Sequence, residues 1–393
     1  AVEWIMWMVL GVSSGITQGF AILMAQDYGA QKWNQLKKTV AHSYVLTAIT
    51  AVLLFLTSQI FAHWILSFLN TPDNIIGMSL LYLRIVFCGI PVVAAYNVFA
   101  GVLRSLGNSR TPLVAMVIAA GINIILDLVF VAGLHMGVAG AALATVIAQC
   151  FSALYCFIIV RKIEIVHITK EDFRAVPGLN RKLLSLGTPI LFQDVIISVG
   201  GLAVQFVVNG YGFLFVAGFT ATNKLYGILE MAAISYGYAI VTYVGQNLGA
   251  GQISRIKKGV HVSGFLAFLT SAFISVMMFI FGKHILRMFI SGDPAQTEQV
   301  LGIAWHYLSI MASVLCILYF LYVYRSALQG LGDTMIPMLS GVVEFFIRVG
   351  VALLLPKIMG QNGIFYAEIT AWTGAAVLLA VSYYIRIRKF RES

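Results

Sequence analysis

The stretch MAQDYGAQKWNQLKKTV (residues 24–40) has a counterpart 220 positions farther along the chain, VGQNLGAGQISRIKKGV (residues 244–260). A second pair follows in the same order, because LGNSRTP (residues 106–112) returns 225 positions later as LGDTMIP (residues 331–337). Chance readily produces one such match, whereas two in the same order indicate a duplicated segment. The sequence therefore predicts two related halves that repeat the same turns.

The composition indicates that most of this chain lies in lipid. Of the 393 residues, 60% are hydrophobic and 10% are charged, and the mean hydropathy is +0.92. Soluble domains carry about a quarter charged residues, and apolar runs of about twenty residues match the roughly 30 Å hydrocarbon core of a bilayer. We therefore expect an all-α membrane protein. Eleven spans are predicted, near residues 2–25, 38–62, 78–102, 112–132, 138–160, 183–208, 213–246, 258–282, 298–325, 336–355 and 362–386.

The basic residues predict the orientation of these spans. Of the 25 lysines and arginines, 19 fall on alternate loops, three on the opposite loops and three inside spans. This asymmetry is the positive-inside pattern, which assigns the basic loops and the C-terminus to the cytoplasm. The net charge of +10 then reflects topology and not a nucleic-acid surface. The basic loops are residues 26–38, 103–111, 161–182, 249–258, 325–335 and the tail after 385.

The repeat and the topology together predict two pseudo-symmetric bundles of six helices. Both copies of each repeated turn fall on the cytoplasmic side, as in parallel repeats. The expected organisation is an N-terminal lobe (1–160), a basic cytoplasmic linker (161–182) and a C-terminal lobe (183–393). Eleven spans with a cytoplasmic C-terminus put residue 1 outside. We therefore expect that one further helix precedes it in a natural twelve-span protein.

Two sequence signatures of nucleotide and metal chemistry are missing. The patterns GxxxxGK and HExxH do not occur, so neither ATP-driven transport through this chain nor metalloprotease chemistry is supported. The four cysteines lie in apolar spans without CxxC spacing, which predicts neither a disulfide framework nor a metal centre. We expect no enzyme, and no cofactor apart from a coupling ion.

One predicted span carries an acid at membrane depth. Asp127 follows Asn123 by four residues, so both side chains share a helix face. The next helix begins after a turn centred on His135, and Thr145 lies at a depth between the two, about 15 Å from that turn. Carboxylate, amide and hydroxyl oxygens suit a small alkali cation such as Na⁺, or a proton relay, and an acid inside a span is functional by default. The alternative is that Asp127 only bonds a neighbouring helix.

The second half does not repeat this site. At the repeat offsets, Arg348 stands in the place of Asn123, and Glu368 stands opposite the place of Thr145. Glu344 lies one turn before Arg348. We expect a structural ion pair between helices here, with a substrate site as the alternative.

The motifs QDYGA, QNLGA and LRSLGNSRTP, with NIILDLVF followed by GVAGAALAT, resemble those of multidrug and toxic compound extrusion (MATE) transporters over essentially the whole chain. The resemblance implies two six-helix lobes facing a central cleft, and exchange of Na⁺ or H⁺ for cationic, amphiphilic drugs. It also implies that Asn123, Asp127 and Thr145 form a cation site, with Tyr82 in support. The sequence departs from the family in lacking the first helix, where many members carry another carboxylate.

These observations predict a secondary antiporter that exports amphipathic organic cations. Candidates for contact with the substrate are Glu230 and Asp194, two acids within spans of the C-terminal lobe, and Met116, whose thioether suits a pliable cleft. The alternative is a flippase for lipid-linked precursors, which needs a cleft rich in basic residues, and a third class is a passive channel. We expect a monomer in the plasma membrane, in contact with lipid and without a nucleic-acid partner.

Overall fold

The computed structural model describes residues 2–68 and 73–390, and every regular element within them is helical. This result confirms the all-α prediction. The α-helices are α1 (Val2–Gly29), α2 (Trp33–Phe68), α3 (Asp73–Cys88), α4 (Ile90–Ser105), α5 (Arg110–Asp127), α6 (Gly137–Arg161), α7 (Leu179–Asn209), α8 (Phe213–Gly249), α9 (Ile253–Phe289), α10 (Pro294–Ser313), α11 (Leu315–Gly330), α12 (Met335–Leu354), α13 (Pro356–Met359) and α14 (Tyr366–Arg388).

The helices are long and apolar enough for a multi-pass membrane protein. Within the described residues nine stretches reach spanning length, or ten when α10 and α11, which meet at a bend of 51°, count as one span. The last stretch, Met335–Arg388, has 54 residues, and a straight helix of that length would be about 80 Å long. It contains α12 and α14, which pack against each other across a turn in which Gly360 has a φ of 66°. Counting this hairpin as two spans gives the eleven that the sequence predicts.

The repeated turns adopt the same backbone conformation in both halves. Gln31 follows α1 with a φ of 57°, and its counterpart Gly251 follows α8 with a φ of 70°. Gly107 and Gly332, which follow α4 and α11, have φ values of 86° and 82°. A left-handed residue after the last helical turn is a common way to end a helix. The duplication seen in the sequence is therefore also present in the helix ends.

Within the described residues, a helix is interrupted at the same place in each half. Gly89 separates α3 from α4, and Val314, 225 positions later, separates α10 from α11. At both breaks the amide bonds the carbonyl three residues earlier, with Gly89 N 2.9 Å from Val86 O and Val314 N 3.3 Å from Met311 O. Such 3₁₀-type bonds tighten the turn. The repeat therefore includes a helix break that hydrophobic pattern alone does not reveal.

The chain divides into two compact units whose limits differ from the predicted lobes. The first unit comprises residues 1–195 and 245–251, and the second comprises residues 196–244 and 252–393. Close backbone contacts explain why parts of α7 and α8 belong with α1. A Cβ atom on Gly19 would overlap the backbone of Gly187, and one on Gly29 would overlap the carbonyl of Gln246. Small residues allow membrane helices to approach this closely.

The basic segment 161–182 belongs to the first unit and packs along α2. Its two 3₁₀ turns, Glu164–Val166 and Lys170–Phe173, lie against that helix. The buried His42 of α2 holds the segment, since its Nδ1 lies 2.7 Å from Oδ1 of Asn180 and its Nε2 lies 3.1 Å from the carbonyl of Arg174. The predicted linker is therefore a packed part of the fold.

Candidate functional site

The acid of the first unit lies where its helix changes form. α5 ends at Asp127, and the chain continues as a π-helix over Leu128–Gly133. The turn into α6 then requires positive φ values of 54° at His135 and 56° at Gly137. π-Helical segments are rare and frequently occur at functional sites. The sequence predicts the turn at His135 but not the π-helix, which directly follows the candidate acid.

Asp127 and Asn123 each contain a buried polar atom without a hydrogen-bond partner. These atoms are Oδ1 of Asp127 and Nδ2 of Asn123, and both side chains are half-buried. A buried donor or acceptor left without a partner costs about 1–3 kcal/mol, so such groups in a native fold require an explanation. The carboxylate oxygen of Asp127 can accept a proton or bind a cation, whereas the amide nitrogen of Asn123 can only donate a hydrogen bond.

Thr145 lies on the helix next to this pair, and Tyr82 lies on a helix that packs against the helix of Thr145. α6, which carries Thr145, packs against both α5 and α3, and α3 carries the half-buried Tyr82. The hydroxyl of Thr145 donates to the carbonyl of Ala141 in its own helix, at 3.0 Å. The structure thus places the four predicted residues on three neighbouring helices without bonding Thr145 to Asp127. Met116 also lies on α5, where it is 55% exposed.

In the second unit Arg348 and Glu368 are in contact. Nη2 of Arg348 lies 2.9 Å from Oε2 of Glu368 and 3.6 Å from Oε2 of Glu344. Glu344 forms a further ion pair with Arg325. The side chains of Arg348 and Arg325 are only 5% and 7% exposed. The predicted pair is therefore one end of a buried row of four charged residues, in which two positive and two negative charges balance.

Arg325 lies inside a helix and not in the turn to which the sequence assigns it. The loop pattern places it in a cytoplasmic turn, whereas the structure buries it inside α11, five residues before that helix ends at Gly330. Its partner Glu344 lies on α12, which packs against α11. Charge counting along a loop cannot reveal this contact, because it depends on how two helices are rotated against each other.

Tyrosines hold Glu230, the other acid within the spans of the second unit. Tyr322 donates its hydroxyl to Oε1 of Glu230 at 2.9 Å, and Tyr226, one turn earlier on α8, is a second hydrogen-bond partner. Within the described part of the chain no ion pair includes Glu230. Sequence reasoning missed both tyrosines. The four-residue spacing of Tyr226 and Glu230 is a signal for the first, whereas Tyr322 lies on a distant helix.

Asp194 packs against the first helix of the chain. Its Cβ lies 3.6 Å from the position of a Cβ on Gly11, and its Oδ2 lies 3.0 Å from the position of a Cβ on Gly15. Both glycines belong to α1. The structure therefore places Asp194 in the first unit, whereas the predicted boundary counts it among the charges of the C-terminal lobe.

Comparisons with known proteins agree with the helical architecture and with the motifs. The sequence model of the MatE family matches residues 1–129 and 189–354. The probable multidrug resistance protein YoeA of Bacillus subtilis is 28% identical over 293 residues, which are 72% of this chain and 63% of the relative. The probable multidrug resistance protein YpnP of the same organism is 30% identical over 309 residues, which are 76% of this chain and 66% of the relative. The chain thus spans just under two thirds of these two relatives.

Solved structures show the same fold. The outward-facing conformation of a multidrug resistance MATE family transporter of the MOP superfamily has a TM-score of 0.92 to this chain at 19% identity. The match covers 100% of this chain and 88% of that one. At this identity the likeness establishes the architecture, and the chemistry has to be argued from the residues.

Proposed function

Because the chain belongs to the MatE family of multidrug and toxic compound extrusion transporters, we propose that it is a secondary antiporter for amphipathic organic cations. Export is exchanged for H⁺ or Na⁺ by alternating access between two lobes. As a member of a transporter family the chain is not an enzyme. Its proposed location is the plasma membrane, with a cytoplasmic C-terminus, and it acts as a monomer surrounded by lipid.

The observation that carries this proposal is the buried carboxylate oxygen of Asp127 that has no hydrogen-bond partner. An ionised acid at the centre of a membrane helix costs roughly 2.5–3.5 kcal/mol on insertion scales. A proton or an alkali cation removes that charge, so the two compete for the same carboxylate. Thr145 adds a third oxygen, because a hydroxyl that donates to Ala141 keeps lone pairs available for a cation.

The π-helix connects occupancy of this site with helix shape. Asp127 is the last residue of regular α5, and the widened turns begin at Leu128. Neutralising Asp127 changes the balance between helical forms at this boundary, since the charge and its ligands sit on the last α-helical turn. In the proposed cycle, the bend of this helix changes when the coupling ion binds.

Charge distribution favours organic cations over anionic lipid-linked precursors. A flippase for such precursors needs free basic side chains, yet Arg348 and Arg325 are already paired with Glu368 and Glu344. Glu230 offers a carboxylate held by two tyrosines, a combination suited to a cationic amine.

Counterflow of a fluorescent organic cation in proteoliposomes tests the proposal, with pH and Na⁺ gradients imposed separately. We expect uptake driven by one of the two gradients in the wild type. Asp127→Asn should abolish gradient-driven transport, because it keeps the side-chain shape and removes the titratable charge. The affinity of this variant for the cation in detergent should stay within about a factor of two of the wild-type affinity, since Asp127 is assigned to coupling and not to contact with the cation.

Asp293→Asn is the matched control, because it makes the same chemical change at an exposed position outside the spans. It should transport like the wild type. Gradient-driven transport by Asp127→Asn at the wild-type rate would contradict the role of Asp127. Transport that ignores both gradients would indicate a passive channel, and transport of a lipid-linked anion without the cation would indicate a flippase.

A further inference from the structure

An apolar groove lies on the second unit between α9, α11 and α14, near the beginning of α9 and the end of α14. Its volume is about 260 Å³. The wall is mainly aromatic, and the side chains used below are His261, Gly264, Phe268, Phe320, Tyr324 and Tyr384. The hydroxyls of Tyr324 and Tyr384 lie 3.3 Å apart in a hydrogen bond, which leaves the rings as the apolar surface of the groove.

One wall of this groove contains a glycine that helix packing does not require. A Cβ on Gly264 would meet only Cε1 of Phe320, at 3.7 Å, which is an ordinary contact. Gly259, five residues earlier on the same helix, is different, because a Cβ there would overlap the ring of Tyr243. Packing therefore explains Gly259, whereas the absence of a side chain at Gly264 serves to keep the groove open.

Basic residues stand at the end of the groove that the positive-inside pattern assigns to the cytoplasm. Lys257 precedes His261 by four residues on α9, and Arg388 follows Tyr384 by four residues on α14. Residues four apart share a helix face, so each cation lies one turn, about 6 Å, beyond the groove. Arg388 is exposed, and Nδ1 of His261 is 2.7 Å from the carbonyl of Lys257.

The groove also reaches into the depth of the hydrocarbon. Phe268 is ten residues beyond the start of the predicted span at residue 258, which corresponds to about 15 Å of helix. The hydrocarbon core of a bilayer is roughly 30 Å thick. An occupant therefore has a charged end at the membrane surface and an apolar chain below it.

We propose that this groove binds an anionic phospholipid of the cytoplasmic leaflet, with an acyl chain against Gly264 and the headgroup at Lys257 and Arg388. Lys257 and Arg388 favour a lipid over a transported drug as the occupant, because their charges attract a phosphate and repel the organic cation assigned to the transport cycle. The groove is then a lipid site and not a lateral entrance for substrate. This inference uses the orientation of the basic loops and is independent of the antiport activity.

Native mass spectrometry of the detergent-purified protein tests it, with phosphatidylglycerol and phosphatidylcholine of identical acyl chains as probes. The wild type should bind phosphatidylglycerol in preference to phosphatidylcholine. Lys257→Gln and Arg388→Gln should each lower the affinity for phosphatidylglycerol about fivefold. Gly264→Leu should lower the binding of both lipids, because the side chain fills the space of the acyl chain.

Two variants serve as controls. Lys283→Gln removes an exposed lysine near the other end of α9, and Gly77→Leu adds the same side chain at an exposed glycine with no atom within 4 Å of its Cβ position. Both should bind lipid like the wild type. Equal binding of the two lipids by the wild type, or unchanged binding by the two charge variants, would overturn the proposal. If Gly264→Leu does not yield folded protein, the charge variants and their control decide the result.

Discussion

Replacing Glu368 alone should destabilise the protein more than replacing Glu368 and Arg348 together. Glu368 is the nearest counter-charge of Arg348, at 2.9 Å, and the other acid within reach, Glu344, is shared with Arg325. Glu368→Gln therefore leaves the buried row with one positive charge in excess. Substituting Arg348→Met as well restores the balance, since Arg325 and Glu344 remain paired.

The expected magnitudes follow from burial. Breaking a buried ion pair from one side costs about 3–5 kcal/mol, whereas the double variant leaves no uncompensated charge and should cost less. The loss of stability caused by Arg348→Met alone should fall between the losses caused by Glu368→Gln and by the double variant. The carboxylate that it leaves behind can take up a proton, whereas a guanidinium cannot lose one in a protein. We therefore expect Glu368→Gln to be the most damaging change, Arg348→Met the next and the double variant the mildest.

Thermal unfolding of the detergent-solubilised protein, followed by tryptophan fluorescence, measures this order. The exposed pair of Arg287 and Glu298, with side chains 59% and 56% exposed, is the matched control. Its removal should change stability by no more than about 1 kcal/mol. If the effects of the two single substitutions simply add in the double variant, charge balance does not stabilise this row and the explanation is wrong.

Two further predictions concern the first unit. Gly29→Ala should lower the free energy of unfolding by about 1–3 kcal/mol or prevent folding, because the added Cβ would overlap the carbonyl of Gln246. Its control is Gly121→Ala, at an exposed position with open space around it, which should leave the stability unchanged in the same unfolding assay. Thr39→Val should lower stability by about 1–3 kcal/mol, because it removes the hydroxyl that donates to the buried carboxylate of Asp27 at 2.7 Å. A stability equal to that of the wild type for Thr39→Val would show that Asp27 does not depend on this bond.

Features that depend on local spacing could be predicted from the sequence. The eleven spans follow from hydrophobic length, and the positive φ values at Gly107 and Gly332 follow from the repeated turn. The contact of Arg348 with Glu368 could be predicted as well. Because α12 and α14 form a hairpin, the depth of each residue follows from the number of residues between it and the turn.

Features that depend on helix rotation and packing could not be predicted. Tyr322 of α11 bonds Glu230 of α8, and no short turn joins these two helices in a fixed register. The pairing of Arg325 with Glu344 depends on how α11 and α12 are rotated about their axes. The π-helix after Asp127 could not be predicted either, because the residues from Leu128 onward have the pattern of an ordinary apolar helix. Its presence reflects the way α5 meets α6, and the sequence of α5 alone carries no sign of it.

The two halves share a backbone pattern but differ in how they treat charge, and this difference bears on where coupling takes place. Arg348 and Ala352 occupy the positions that correspond to Asn123 and Asp127. In the second half Arg348 is neutralised by acids, so a change in its charge state would require breaking ion pairs. In the first half the carboxylate of Asp127 still has a buried oxygen without a partner. A group that gains a partner only when a proton or cation arrives responds to a gradient, whereas a balanced row of charges resists one. In the proposed transport cycle the first half therefore responds to the gradient, and the ion pairs of the second half keep its charges fixed.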